Sequence, residues 1–213
     1  MNLRITFLSV ILLALPALVS AAQTPAETAF RTAPRSVLPM LDTNTRLDMI
    51  DYYNSSDNKG AANSLGGRSR VTSMKPERID ISMTDATTYS ICVIPSGSDS
   101  IIALITTVAT PATDSKISFY RSDWTPITTS DIFVKPVFDD WLNANGKKNR
   151  DEVESTVPFM LTGFDYDPAS LTLTITNNTG SFMPKEIYEM VAGDLYPSLT
   201  YKFNGKKFVK TTK

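Results

Sequence analysis

The chain contains no histidine. That excludes Ser-His-Asp and Cys-His nucleophilic sites, histidine general bases and histidine-ligated zinc together. It has one cysteine, Cys92. No internal disulfide can form, so the core must hold the fold unaided. Cys92 lies in Ser90-Ile91-Cys92-Val93-Ile94, an apolar strand pattern, and reads as a buried, unpaired small hydrophobe. Without histidine or a cysteine cluster, no metal or cofactor is expected. An excess of one charge sign is lacking too: 21 basic residues face 22 acidic ones, a formal net charge of -1. This balance argues against nucleic acid as a partner. A second long apolar run is missing, so the mature chain is expected to have no transmembrane segment.

The one long apolar run stands at the start. Arg4 precedes residues 5–18, which are apolar except for Thr6, Ser9 and Pro16, and Val19-Ser20-Ala21-Ala22 supplies small residues for cleavage. This is the pattern of a secretory signal peptide over residues 1–22, too short in its core for a stable span. The mature protein is expected to begin at Ala22 or Gln23, exported to the periplasm or beyond. No cysteine follows the run to carry a lipid. About 190 residues remain, enough for one large or two small domains.

Periodicity then gives an order of helix followed by strands, twice. Residues 23–35, with Pro25 and Pro34, read as an extended lead-in. Residues 43–53 read as a helix capped by Asp42 or Thr43, with Leu47, Ile50 and Tyr53 on one face. Residues 55–70, rich in Gly, Ser and Asn, read as a flexible loop. Ile79, Ile81 and Met83 alternate with polar residues, as do Tyr89, Ile91 and Val93, which predicts a hairpin around 85–87. Ser96-Gly97-Ser98-Asp99 is a turn. Residues 101–108 are apolar on both faces, which predicts a central strand covered on both sides, and 116–120 pairs back onto it.

A second helical segment opens at Ser130 or Asp131 and is split by Pro136, with Val137, Phe138, Trp141 and Leu142 on its better half. After a polar loop at 143–149, strands resume from Phe159. Pairing outward from Asp167-Pro168-Ala169-Ser170 sets Tyr166 opposite Leu171 and Phe164 opposite Leu173. Residues 184–192 read as a short helix stopped by Gly193. A final hairpin turns at Asn204-Gly205, which sets Tyr201 opposite Phe208 and Lys202 opposite Lys207. The fold class expected is α+β: mostly antiparallel sheet with helices on one side, in units of 23–128 and 129–213 or as one continuous domain.

Carboxylates are the acid–base groups left in number. The near pairs are Asp48 and Asp51, Asp139 and Asp140, and Asp165 and Asp167. Glycoside hydrolysis takes two carboxyls facing one cleft, and nothing in the spacing joins these, so solvated helix faces and turns are the reading. Asn143-Ala144-Asn145-Gly146-Lys147 lacks the alternating carboxylates of a calcium loop, and Lys147 and Lys148 repel a cation. Gly66-Gly67-Arg68 is not followed by the Gly-Lys-Ser/Thr of a phosphate loop. Trp124, Tyr120, Tyr89 and Trp141 are able to stack on a sugar or to fill the core. Trp124 and Tyr120 are the candidate ligand contacts among them, since Trp124 follows a polar segment. Lys202, Lys206, Lys207, Lys210 and Lys213 make a basic tail. It protects a sheet edge or, through Lys202 and Lys207, binds an anion weakly.

Two stretches carry a resemblance. They are Leu41-Asp42-Thr43-Asn44-Thr45-Arg46-Leu47-Asp48-Met49-Ile50-Asp51-Tyr52-Tyr53, and Thr106-Thr107-Val108 with Pro111-Ala112-Thr113-Asp114-Ser115-Lys116-Ile117-Ser118-Phe119-Tyr120 and Trp124. With them the chain resembles a family of exported Bacteroidales proteins of unknown function. The resemblance implies export and lineage, not a mechanism. Within that lineage Asp99-Ser100-Ile101 resembles the short motif that such bacteria O-glycosylate, which implies glycosylation at Ser100. The sequence thus points to an exported protein without enzymatic activity, acting by binding or in envelope assembly, with an envelope protein or glycan as partner. The alternative is a carbohydrate-binding module or a carboxylate-based glycoside hydrolase.

Overall fold

The computed structural model describes residues 22–109 and 111–211. Apart from Ala22, the signal-like segment lies outside them. Two antiparallel sheets form an α+β fold. The first has seven strands in chain order: β1 (Ala61–Ala62), β2 (Arg68–Lys75), β3 (Arg78–Ser82), β4 (Thr87–Ser96), β5 (Asp99–Val108), β6 (Asp114–Arg121) and β7 (Pro126–Ile127). The second has four, again joined by consecutive turns: β8 (Thr162–Asp167), β9 (Thr172–Asn177), β10 (Ser198–Phe203) and β11 (Phe208–Lys210).

β5 carries the expected double burial. Ile101, Ala103 and Ile105 join one core cluster, while Ile102 and Leu104 join another. Successive side chains alternate across a strand, so both faces of the first sheet are covered. One cover is helical, made by α1 (Pro25–Thr32) and α2 (Thr43–Asn54), whose Phe30, Met49 and Ile50 pack with Ile79, Ile81 and Leu104. The other is the second sheet. Its Phe164, Tyr166, Leu173, Ile175, Tyr201 and Phe208 share a core with Cys92, Ile105 and Phe119. Each such fully buried side chain contributes roughly 1.5–3 kcal/mol. The segments α3 (Thr129–Ile132), α4 (Phe138–Trp141) and α5 (Arg150–Thr156) close this shared core with Phe133, Trp141 and Val153.

Residues 23–35 are not an extended lead-in. The hydroxyl of Thr24 accepts the Glu27 amide at 3.2 Å and Pro25 takes the first helical position, which together start α1. Ala26, Ala29, Phe30 and Ala33 then recur at helical spacing and are buried. The α2 face is also rotated from expectation: Arg46, Met49 and Ile50 are buried, and Leu47 is only half-buried. The Arg46 guanidinium donates to the Leu41 and Arg31 carbonyls at 2.9 and 3.1 Å, tying the two helices.

Residues 55–70 are more ordered than a flexible loop. β1 pairs Ala61 with Ser69. The buried amide of Asn63 donates to the Ser69 hydroxyl at 3.0 Å and the Met83 carbonyl at 3.3 Å, while its oxygen accepts the Leu65 and Gly67 amides. The helix expected at 184–192 is shorter: α6 spans Lys185–Glu189, and a separate 3-10 turn covers Ala192–Asp194. Val137, assigned to an apolar face, is exposed.

Both later hairpins are displaced by two residues. In β8–β9, Tyr166 faces Leu173 and Phe164 faces Ile175. The Asp167 carboxylate accepts the Ala169 and Ser170 amides, and Leu171 enters the left-handed region at φ 54°, so the four-residue loop slides one residue along, from 167–170 to 168–171. In β10–β11, Phe203 faces Phe208, Tyr201 faces Lys210, and Lys202 faces Val209, not Lys207. There the Asn204 side chain accepts the Lys206 and Lys207 amides and Gly205 takes φ 93°, so the loop holds four residues where two were expected. An even displacement leaves every side chain on its original face, which is why the apolar stripes still meet.

Candidate functional site

A concavity of about 840 Å³ opens between the C-terminal end of α2 and β2. Its walls include Tyr52, Tyr53, Asn58, Lys59, Arg70 and Thr72. The sequence reading singled out none of them as a site. The signal was present: Tyr52-Tyr53 ends the helix, and a polar segment with Lys59 follows.

Local backbone chemistry builds the lip. The helix ends at Ser55. The Ser56 amide then bonds the Tyr53 carbonyl at 3.1 Å and the Asp57 amide bonds the Tyr52 carbonyl at 2.8 Å, with Ser56 at φ 58°. This pair of bonds, with a left-handed residue between, is a Schellman ending. Glycine is the usual occupant, and a serine there carries backbone strain. The turn delivers Asp57 and Lys59 to the groove. Lys59 Nζ lies 2.9 Å from Asp57 Oδ2 and 5.5 Å from the Tyr52 ring centroid. Hydrogen bonds from the Lys59 side chain and amide, with the charges of Lys59 and Arg68, hold Asp57 below the usual carboxylate range. Asp57 in turn raises Lys59. On the far wall, Arg70 is exposed and, among the described residues, stands in no ion pair.

The carboxylate pairs diverge. Asp139 bonds Arg150 at 2.9 Å, whereas Asp140 bonds Lys210 at 2.9 Å. Asp165 bonds Arg78 at 2.7 Å, whereas Asp167 caps its own turn. Asp48 and Asp51 are exposed along α2. Among the described residues no group of three metal-ligating side chains gathers.

Trp124 is buried, and its indole donates to the Ala29 carbonyl at 3.2 Å, fastening α1 to the sheet. Tyr120, half-buried, packs on it with centroids 5.2 Å apart. Trp141 is 1% exposed, and Tyr89 packs against the helix-side core. Lys202 and Lys207 are exposed in the last hairpin, separated by its longer loop. Ser100 is half-buried at the start of β5. Cys92 is fully buried and free, and burial pushes its thiol up to about 12. An apolar patch lies elsewhere: Phe159 and Phe182, each nearly half exposed, meet edge to face at 5.5 Å. Among the described residues, no helix is long and apolar enough to cross a membrane.

Two meandering antiparallel sheets with helices define the class as α+β. In fold the chain is similar to a domain of an uncharacterized protein from Porphyromonas gingivalis W83, a Bacteroidales member. The TM-score is 0.76 at 23% identity, over 88% of this chain and 100% of that one. The chain belongs to DUF3256, a family of proteins of unknown function, whose model matches residues 17–208. No curated protein matches it.

Proposed function

We propose that the chain is an exported, non-enzymatic binding protein of the cell envelope, with the α2–β2 groove as its ligand site. Export is supported by the signal-like residues 1–22 and by the position of α1. Thr24 caps that helix and Ala26 is fully buried, so a cut between Ala21 and Gln23 leaves the core whole. The single observation behind binding is the lining of the groove: tyrosine rings, amides, hydroxyls and cations around one carboxylate. That carboxylate, Asp57, is already bonded to Lys59. Glycoside hydrolysis uses two opposed carboxyls, and the groove offers a mainly polar recognition surface instead, with two tyrosine rings among its polar groups.

The test has two parts. The mature protein should begin at Ala22 or Gln23 by N-terminal sequencing, and a mature start at Met1 would contradict export. On an array of glycans and peptides, the wild-type chain should retain hits that a Tyr52→Ala/Arg70→Ala variant loses. Hits held equally by the variant, or cleavage of an arrayed glycan, would contradict the reading.

A further inference from the structure

Resting on the reading of the groove as a ligand site, we propose that it takes an acidic saccharide. The sugar carboxylate would be held between Arg70 and Lys59, and the sugar face would lie on the tyrosine wall.

Charge comes first. Lys59 and Arg70 face one carboxylate in the lining, and Arg68 on the same strand lies near enough to act on Asp57. Lys59 is held in place by Asp57 and the Tyr52 ring. Arg70 keeps its guanidinium fork open, and that fork matches a carboxylate through two parallel hydrogen bonds. An anion therefore meets Arg70, which has no ion pair among the described residues, beside a Lys59 whose charge is partly offset by Asp57, for a net excess of one cation in the lining.

The backbone then decides against a peptide strand. An extended peptide would add to the free edge of β2 through main-chain bonds. That edge is closed on either side of the groove. β1 covers Arg68 and Ser69, and the Tyr53 hydroxyl accepts the Met74 amide at 3.2 Å. Between them the register shifts across Val71 and Ser73, a bulge that blunts an edge. What remains is recognition by side chains: flat rings with polar tips, amides and hydroxyls around Arg70 and the Asp57-bound Lys59. This is the chemistry of a sugar ring bearing a carboxylate. The strained Ser56 that sets the lip is consistent with a turn kept for the site.

The probe is a short oligogalacturonate, titrated calorimetrically into the mature chain at low salt. Binding is expected, weakened about tenfold or more by Arg70→Ala and weakened by added salt. Arg70→Lys should recover part of the affinity, since it keeps charge without the fork. Arg70 is an exposed side chain, so these variants should fold, which their circular dichroism checks. Absence of oligogalacturonate binding, or binding indifferent to Arg70→Ala, overturns the proposal. Equal binding of a poly-glutamate peptide overturns it in favour of a peptide ligand. Equal binding of a neutral oligosaccharide, lost in Tyr52→Ala/Arg70→Ala, overturns the acidic specificity while the groove reading stands.

Discussion

Arg78 is one of the residues that tie the two sheets together, beside the Thr162 amide bonded to Asp114. Its guanidinium donates to Asp80 at 2.8 Å within the first sheet, and to Asp165 and the Tyr166 carbonyl at 2.7 Å in the second. The Ser90 hydroxyl adds a bond to Asp80 at 2.6 Å. Asp165 is 67% exposed, so its ion pair is largely solvated, whereas Arg78 is 19% exposed. Arg78→Ala should therefore cost about 1.5–3 kcal/mol in urea unfolding, and Asp165→Asn less than about 1 kcal/mol. Equal losses would show that the exposed pair, not the interior bonds, holds the sheets. None of this was legible in the sequence, because Arg78 and Asp165 are far apart in the chain and each sits in an ordinary strand pattern. Cys92 was legible, since burial follows from its apolar neighbours alone.

At the scale of elements, alternation was a reliable guide and turn length was not. β5 and the β3–β4 hairpin follow directly from which residues are apolar. The β8–β9 loop keeps its length but slides one residue along, and the β10–β11 loop is longer than expected, because Asp167 and Asn204 fold their side chains onto the following amides. α1 was missed because its small apolar residues, Ala26, Ala29 and Ala33, carry little signal until something packs on them. The last hairpin gives a sharp test. Phe208 stacks near Phe119, Phe133, Tyr166 and Phe203. Phe208→Ala should cost about 3–5 kcal/mol and Lys202→Ala no more than about 0.5 kcal/mol. A denaturation curve for Phe208→Ala equal to wild type would remove β11 from the core. β11 is also tied to α4 by Lys210, whose ammonium reaches Asp140, so one lysine of the basic tail is structural. Burial raises the Asp140 pKa, and the bonds from Lys210 and the Val137 amide lower it further than that, for a net lowering. Its contribution to stability is present above the ordinary carboxylate value near ~3.9 and fades as pH falls through the lower folded value. Asp140→Asn should accordingly show a shallower loss of stability than wild type on acidification below about pH 4. An unchanged acid limb of the urea midpoint would deny that bond any weight.

For the whole molecule, the two faces of the first sheet do different work. One face is consumed by the second sheet, and the other carries α1 and α2, with the groove opening at the C-terminal end of α2. The fold class was readable from the order of patterns, because short turns between alternating strands force antiparallel pairing. The groove was not, since it joins residues 49–59 to 70–72 across a turn and a two-residue strand that no periodicity reveals. Trp124, read as a candidate contact, is spent on α1. The central claim is that this groove is the working surface. Its most direct test is a chemical-shift map of the isotope-labelled mature chain titrated with the short oligogalacturonate. The account predicts shifts clustered at residues 52–59 and 68–72. Shifts centred on Phe159 and Phe182, or the absence of any, would contradict it.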